Sequence, residues 1–124
     1  MTQTVKEASI EPVKDYFQYL QEQICSTLES LEIDEKFSVE NISTPRGGLS
    51  KPRVLSDGEH IEKAAVMFTH SIGDSLPPAA TERNPKLAGK PFQAAAISLI
   101  VHPRNPFVPM TPVSYTHLTL PTKA

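Results

Sequence analysis

Phe92-Gln93-Ala94-Ala95-Ala96-Ile97-Ser98-Leu99-Ile100-Val101-His102, stopped by Pro103, is the stretch that decides the fold. From Ala94 to Val101 only Ser98 interrupts the apolar run. A strand alternates faces every residue, so a run apolar at odd and even positions alike belongs to a central strand covered above and below. The run falls well short of the ~20 apolar residues that span a bilayer. A strand of this kind needs partners, and the sequence on either side has to supply them.

Upstream, Arg53-Val54-Leu55-Ser56 reads as a short strand and Asp57-Gly58 as a hairpin signal of the primed-turn type. From Glu59 to Ile72 local propensity is divided. Glu62-Lys63-Ala64-Ala65 favours helix, whereas Val66-Met67-Phe68-Thr69-His70-Ser71-Ile72 favours strand. A strand is expected, because Asp57-Gly58 otherwise has nothing to join. Gly73 to Gly89 reads as loop. Pro77-Pro78 breaks any element, Asn84-Pro85 opens a turn, and Lys86–Gly89 suits a single helical turn.

Further out, Val13, Phe17, Leu20, Ile24, Leu28 and Leu31 recur at steps of three or four, with Tyr16 at the margin. That stripe predicts a helix over about 11–32, opened by Ser9, Glu11 and Pro12. Cys25 lies beside the stripe and is expected to be a small buried hydrophobe, with no basic neighbour to make it a reactive thiol.

Composition limits the function. The chain has 124 residues and a formal net charge of -2, which suits one small domain or part of a larger one and lacks the basic excess of a nucleic-acid binder. One cysteine excludes an internal disulfide, and the first fourteen residues carry Glu7 and Glu11 where a secretory signal would be apolar. A reducing, cytoplasmic setting is the default.

Three places carry chemistry. Arg46-Gly47-Gly48-Leu49-Ser50-Lys51-Pro52-Arg53 reads first as a solvated basic turn, and otherwise as a glycine loop flanked by cations that suit carboxylates or phosphates. It lacks the P-loop spacing. Ser98 and His102 share one face of the apolar strand, ~13 Å apart. A ligand cavity over the sheet explains them, and so does a core histidine bonded to backbone. His60 and His70 make no metal-ligand spacing with His102. Last, three prolines between Pro103 and Pro109 stiffen the chain around Asn105.

The string Ile97-Ser98-Leu99-Ile100-Val101-His102-Pro103-Arg104-Asn105-Pro106-Phe107-Val108-Pro109 resembles the signature of oxygen-dependent coproporphyrinogen III oxidases. The likeness continues through Leu87–Phe92, Leu76-Pro77, Ala80-Thr81, Glu62–Val66, Gly47–Leu55 and the helix pairs Tyr16-Phe17 and Ile24-Cys25, over about residues 13 to 111. It implies an α+β fold: part of a large antiparallel sheet covered by helices on both faces, preceded by an N-terminal helix, in a homodimeric parent. It implies oxidative decarboxylation of coproporphyrinogen III to protoporphyrinogen IX. Molecular oxygen is the co-substrate, no organic cofactor is needed, and a divalent metal has been proposed. Ser98 matches a substrate-contacting serine, and His102 a histidine assigned to that metal. Because the substrate carries four carboxylates, Arg46, Lys51, Arg53 and Asn105 become candidates to bind it. Related chains usually have Asn at the place of Met67.

The end of the chain departs from this pattern. Pro112 stands where the family has a proton-donating histidine, so no catalytic residue is assigned. Val113–Thr122 resembles a translated sequencing-library adaptor. The chain is therefore read as residues 1–112, the truncated N-terminal part of an oxidase domain, followed by a non-native tail at 113–124, and as inactive alone. The alternative is a non-catalytic anion-binding or protein-interaction module built on the basic loop and the proline-rich segment.

Overall fold

The computed structural model describes residues 10–74 and 91–119. The expected features at Ser9, Pro77-Pro78, Asn84-Pro85 and Lys86–Gly89 lie outside the described residues. Helix α1 (Glu11–Glu29) is followed by five strands. They are β1 (Ile42–Thr44), β2 (Gly48–Ser56), β3 (Ile61–Gly73), β4 (Phe92–Pro103) and β5 (Thr111–Thr119), all antiparallel to their neighbours in the order β1-β2-β3-β4-β5. The protein is thus α+β and mostly sheet.

The decisive run is β4, and it is internal to the sheet, hydrogen-bonded to β3 on one side and β5 on the other. Its Ala95 and Ile97 are buried, and Leu99 and Val101 pack against the same core. Ala64, Val66, Phe68 and His70 of β3 line that face too. Helix α1 lies over it, with Phe17, Leu20, Ile24 and Leu28 against the cluster of Leu55, Ala64, Val66 and Ile97, and Val13 and Phe17 against Phe68 and Ala95. The opposite face carries Ala65, Met67, Ala96, Ser98 and Ile100, all only partly buried. No described helix covers it.

Local details differ from the expectations for physical reasons. Ile10, not a polar side chain, occupies the N-cap of α1, and Pro12 in the first turn is what suits the start. The helix ends at Glu29, so Leu31 falls in the turn beyond it and is 54% exposed. The buried line of α1 runs through Gln21 and Cys25, one position off the apolar stripe. Gln21 earns its place there by donating from Nε2 to the carbonyls of Lys51 at 2.7 Å and Val66 at 2.9 Å, tying helix to sheet beside Pro52, which has no N–H.

The basic glycine loop is shorter than expected. A 3₁₀ turn at Pro45–Gly47, with Arg46 at φ 65° and Gly47 at φ 85°, joins β1 to β2, and the strand already begins at Gly48. Lys51 and Arg53 are therefore strand residues. Gly48 is required by contact: a Cβ there would stand 2.4 Å from the His70 carbonyl oxygen. The hairpin at Asp57-Gly58 forms, but as a longer connection closed by Asp57 N to Glu62 O and Gly58 N to Ile61 O, both 2.8 Å. Asp57, at φ 59°, takes the left-handed conformation, not the glycine.

Strand β5 forms mostly in the segment that the sequence reading assigns to a non-native tail. It adds backbone pairing from Thr111 to Thr119 opposite β4. Its side chains from Thr111 to Leu118 are all exposed, and neither core cluster includes one.

Candidate functional site

Ser98 sits at the middle of β4, opposite Met67 of β3 and Ser114 of β5. The pleat sends it to the face that α1 does not cover. There it borders a hollow of about 350 Å³ lined by Ala65, Met67, Ile100, Pro112 and Val113. The lining is mostly apolar, with the hydroxyls of Ser98 and Ser114 as its polar groups. Such a place suits a broad apolar ligand held by few polar contacts.

His102 lies on the same face of β4, opposite Lys63, and is exposed. It lines a second hollow of about 400 Å³ with Ser56, Asp57, Glu62 and Lys63. The reading of His102 as a core histidine thus gives way to a histidine at a polar rim. His70 is the buried one, its Nε2 2.9 Å from Gln93 Oε1. The residues around His102 do not fit a metal site. Lys63 stands beside it, and no group of three or more His, Cys, Asp or Glu among the described residues is placed to hold an ion. No step of a mechanism is drawn through one.

The cations expected to meet substrate carboxylates are not gathered around Ser98. Arg53 pairs with Val66 in register and so points to the α1 face. Its side chain is 7% exposed, donating from Nε to the Ser38 carbonyl and from Nη1 to Glu22 Oε1, both at 2.7 Å. That is an acid of the protein itself, and it holds Glu22 below the ordinary carboxylate value. Arg46 pairs with Asp74 at the surface. Asn105 accepts from Phe107 N at 2.9 Å and its carbonyl from Val108 N at 3.0 Å, which closes the β4–β5 turn. With Lys51 and Arg53 in β2, the cations of the basic segment are not gathered in one loop.

A sequence model of the family described as coproporphyrinogen III oxidase matches residues 12–123. The chain belongs to this family. As a coproporphyrinogen oxidase family chain it is assigned to the oxidoreductases of porphyrin biosynthesis, acting on a porphyrinogen. No helix among the described residues is long and apolar enough to cross a membrane. The match extends over β5 as well as the sheet that carries Ser98.

Cys25 is buried, as its place beside the apolar stripe predicts. It is 0% exposed on the buried side of α1, and burial pushes its thiol up to about 11, overriding the nearby charge of Arg53, a basic neighbour that the sequence did not reveal. The thiol is protonated at neutral pH. Native protein is expected to resist a thiol-specific disulfide reagent and to react once unfolded in urea. Rapid stoichiometric labelling of folded protein would contradict this burial.

Proposed function

We propose that the chain contributes the Ser98-bearing part of an oxygen-dependent coproporphyrinogen III oxidase. In the reaction each of two propionates, R-CH2-CH2-COOH, reacts with O2 to give R-CH=CH2, CO2 and H2O2. The match to the family over residues 12–123 carries this reading. The largely apolar hollow at Ser98 supports it, because a tetrapyrrole is broad and apolar. Ser98 is the proposed substrate contact. Arg46 is the proposed carboxylate partner, since its side chain is 49% exposed and its ion pair to Asp74 lies at the surface. Exposed pairs are worth only about 0–1 kcal/mol, so a substrate carboxylate can replace Asp74. Oxygen serves as co-substrate and no organic cofactor is required. The parent enzyme is proposed to be a cytoplasmic homodimer.

The chain itself is proposed to be inactive. Pro112, opposite Ile100, offers no proton where the family has a histidine. Oxygen uptake with coproporphyrinogen III should stay at blank for the 124-residue chain. In a complete enzyme carrying this sequence to Thr111, Ser98→Ala should raise KM about tenfold or more, the loss of a hydrogen bond to a charged group. Protoporphyrinogen formation by the short chain would refute the argument from Pro112. Unchanged kinetics in Ser98→Ala would remove Ser98 from the site.

A further inference from the structure

Glu32 lies just beyond α1, kept there by bonds from Leu31 N to Leu28 O at 3.1 Å and from its own N–H to Glu29 O at 3.0 Å. It is a charged residue only 9% exposed. Its carboxylate accepts from three successive amides of the β2–β3 turn: Glu59 N at 2.5 Å, His60 N at 3.0 Å and Ile61 N at 2.8 Å. Convergent N–H groups of this kind form an anion cradle. Here the cradle is filled from within the chain. Gly58 leaves the room, since a Cβ on it would stand 2.6 Å from Glu32 Cδ.

A second grip holds the same turn from its other side. Arg104 donates from Nε at 3.1 Å and Nη2 at 2.9 Å to the Gly58 carbonyl, and its own amide to His60 O at 3.0 Å. Arg104 directly follows the end of β4, which carries His102. The hollow bounded by Asp57, Glu62, Lys63 and His102 therefore has one wall set by this turn.

We infer that Glu32 is a positioning residue: an acid-released clasp that acts through the β2–β3 turn and Arg104 to fix the end of β4 bearing His102. An ionised carboxylate only accepts hydrogen bonds, which is what three converging N–H groups demand. A carboxylic acid brings an O–H of its own into a cradle made of donors. Burial disfavours the charge, but the amides of Ile61, His60 and Glu59, aided by the charge of His60, outweigh it, and the carboxyl lies below its ordinary value. The other charged groups around the clasp are Asp57 and Glu59 on the turn, Arg104 beyond β4, and Glu29 at the end of α1. Glu29 Oε2 is occupied by Phe37 N at 2.7 Å. A lowered carboxyl stabilises the closed form fully above the ordinary glutamate value and loses that contribution as pH falls through the folded-state value. Of the residues the clasp holds only Ile61, at the edge of β3, belongs to a core cluster; Glu32, Glu59, His60 and Arg104 belong to neither, so the turn opens before the centre of the sheet does.

The test is amide hydrogen exchange on the dilute 124-residue chain, followed by NMR from about pH 7 to about pH 3.5. Protection factors at Glu59, His60, Ile61 and Arg104 should fall ~tenfold or more below about pH 4.3, while the amides of Val66 and Phe68 stay protected. Glu32→Gln should lower protection at the four amides already at neutral pH and abolish the acid step. Gly58→Ala, which displaces the carboxylate without altering its chemistry, should also expose them. The proposal is overturned if the acid step survives in Glu32→Gln, or if the four amides lose protection only together with Val66 and Phe68.

Discussion

Phe68→Ala is expected to cost about 3–5 kcal/mol and to remove the cooperative unfolding transition of this chain at moderate temperature. Phe68 is 0% exposed and is among the largest fully buried side chains of the protein. It stands in β3 between β2 and β4, opposite Lys51 and Ile97, and packs beneath α1 with Ile10 and Ala95. Ala95 cannot extend to fill the space, and Val13, Phe17 and Leu49 are only partly buried partners at its edge. A cavity at this point therefore stays open. A domain's net stability is about 5–15 kcal/mol, so a loss of this size takes a large share of it. Phe107→Ala is the comparison, because Phe107 is 93% exposed in the β4–β5 turn and its loss should stay within about 0.5 kcal/mol. Urea unfolding followed by circular dichroism decides the matter. A loss below about 1 kcal/mol for Phe68→Ala would show that the α1–sheet contact is not the core.

What was legible in the sequence was whatever hydrophobic periodicity controls. Strand β4 declared itself by an apolar run with one polar break, and β3 by its β-branched and aromatic second half, once Asp57-Gly58 demanded a partner. Helix α1 was visible as a stripe. The sequence could not show that the stripe's centre would shift onto Gln21 and Cys25, because Gln21 is made acceptable only by two carbonyls from strands far along the chain. Strand β5 was hidden for the opposite reason. Its exposed side chains leave no apolar core pattern, and backbone pairing from Thr111 to Thr119 sets it against β4.

The candidate site divides along the same line. Ser98 stood out as a polar residue within an apolar strand, and strand alternation alone placed it and His102 on one face. Glu32 gave no signal at all. It is one of nine acidic residues before position 41, and only the turn folded around its carboxylate distinguishes it. The basic residues misled, since composition cannot tell which side of a sheet a cation takes. Register decides that. Arg53 is opposite Val66 and Met67 is opposite Ser98, so Arg53 and Ser98 point to opposite sides of the sheet.

That register makes Arg53→Ala a stability variant, with an expected loss of about 3 kcal/mol, and not a binding variant. The guanidinium is buried and makes two charge-assisted bonds, to Glu22 Oε1 and the Ser38 carbonyl, each 2.7 Å. Together they tie α1 and the segment before β1 to β2. A hydrogen bond involving a charged group contributes about 1.5–3 kcal/mol. Glu22, whose side chain is 58% exposed, regains water when its partner is removed, so the loss stays below that of a fully buried pair. Arg53→Lys should recover only part of the loss, because one ammonium on a flexible stem cannot reach both acceptors with the fixed fork of a guanidinium. Glu22→Gln keeps an acceptor and should cost less than Arg53→Ala. The pair also has a pH signature. Arg53 lowers the Glu22 carboxyl, so its contribution is whole above about pH 4.3 and fades as the pH drops below that. The acid sensitivity of Arg53→Ala should therefore be weaker than that of the unaltered chain. In a complete enzyme, Arg53→Ala should lower the melting temperature while the remaining folded fraction keeps its KM for coproporphyrinogen III. A KM raised thirtyfold at unchanged melting temperature would return Arg53 to the substrate and refute the assignment made from the sheet register.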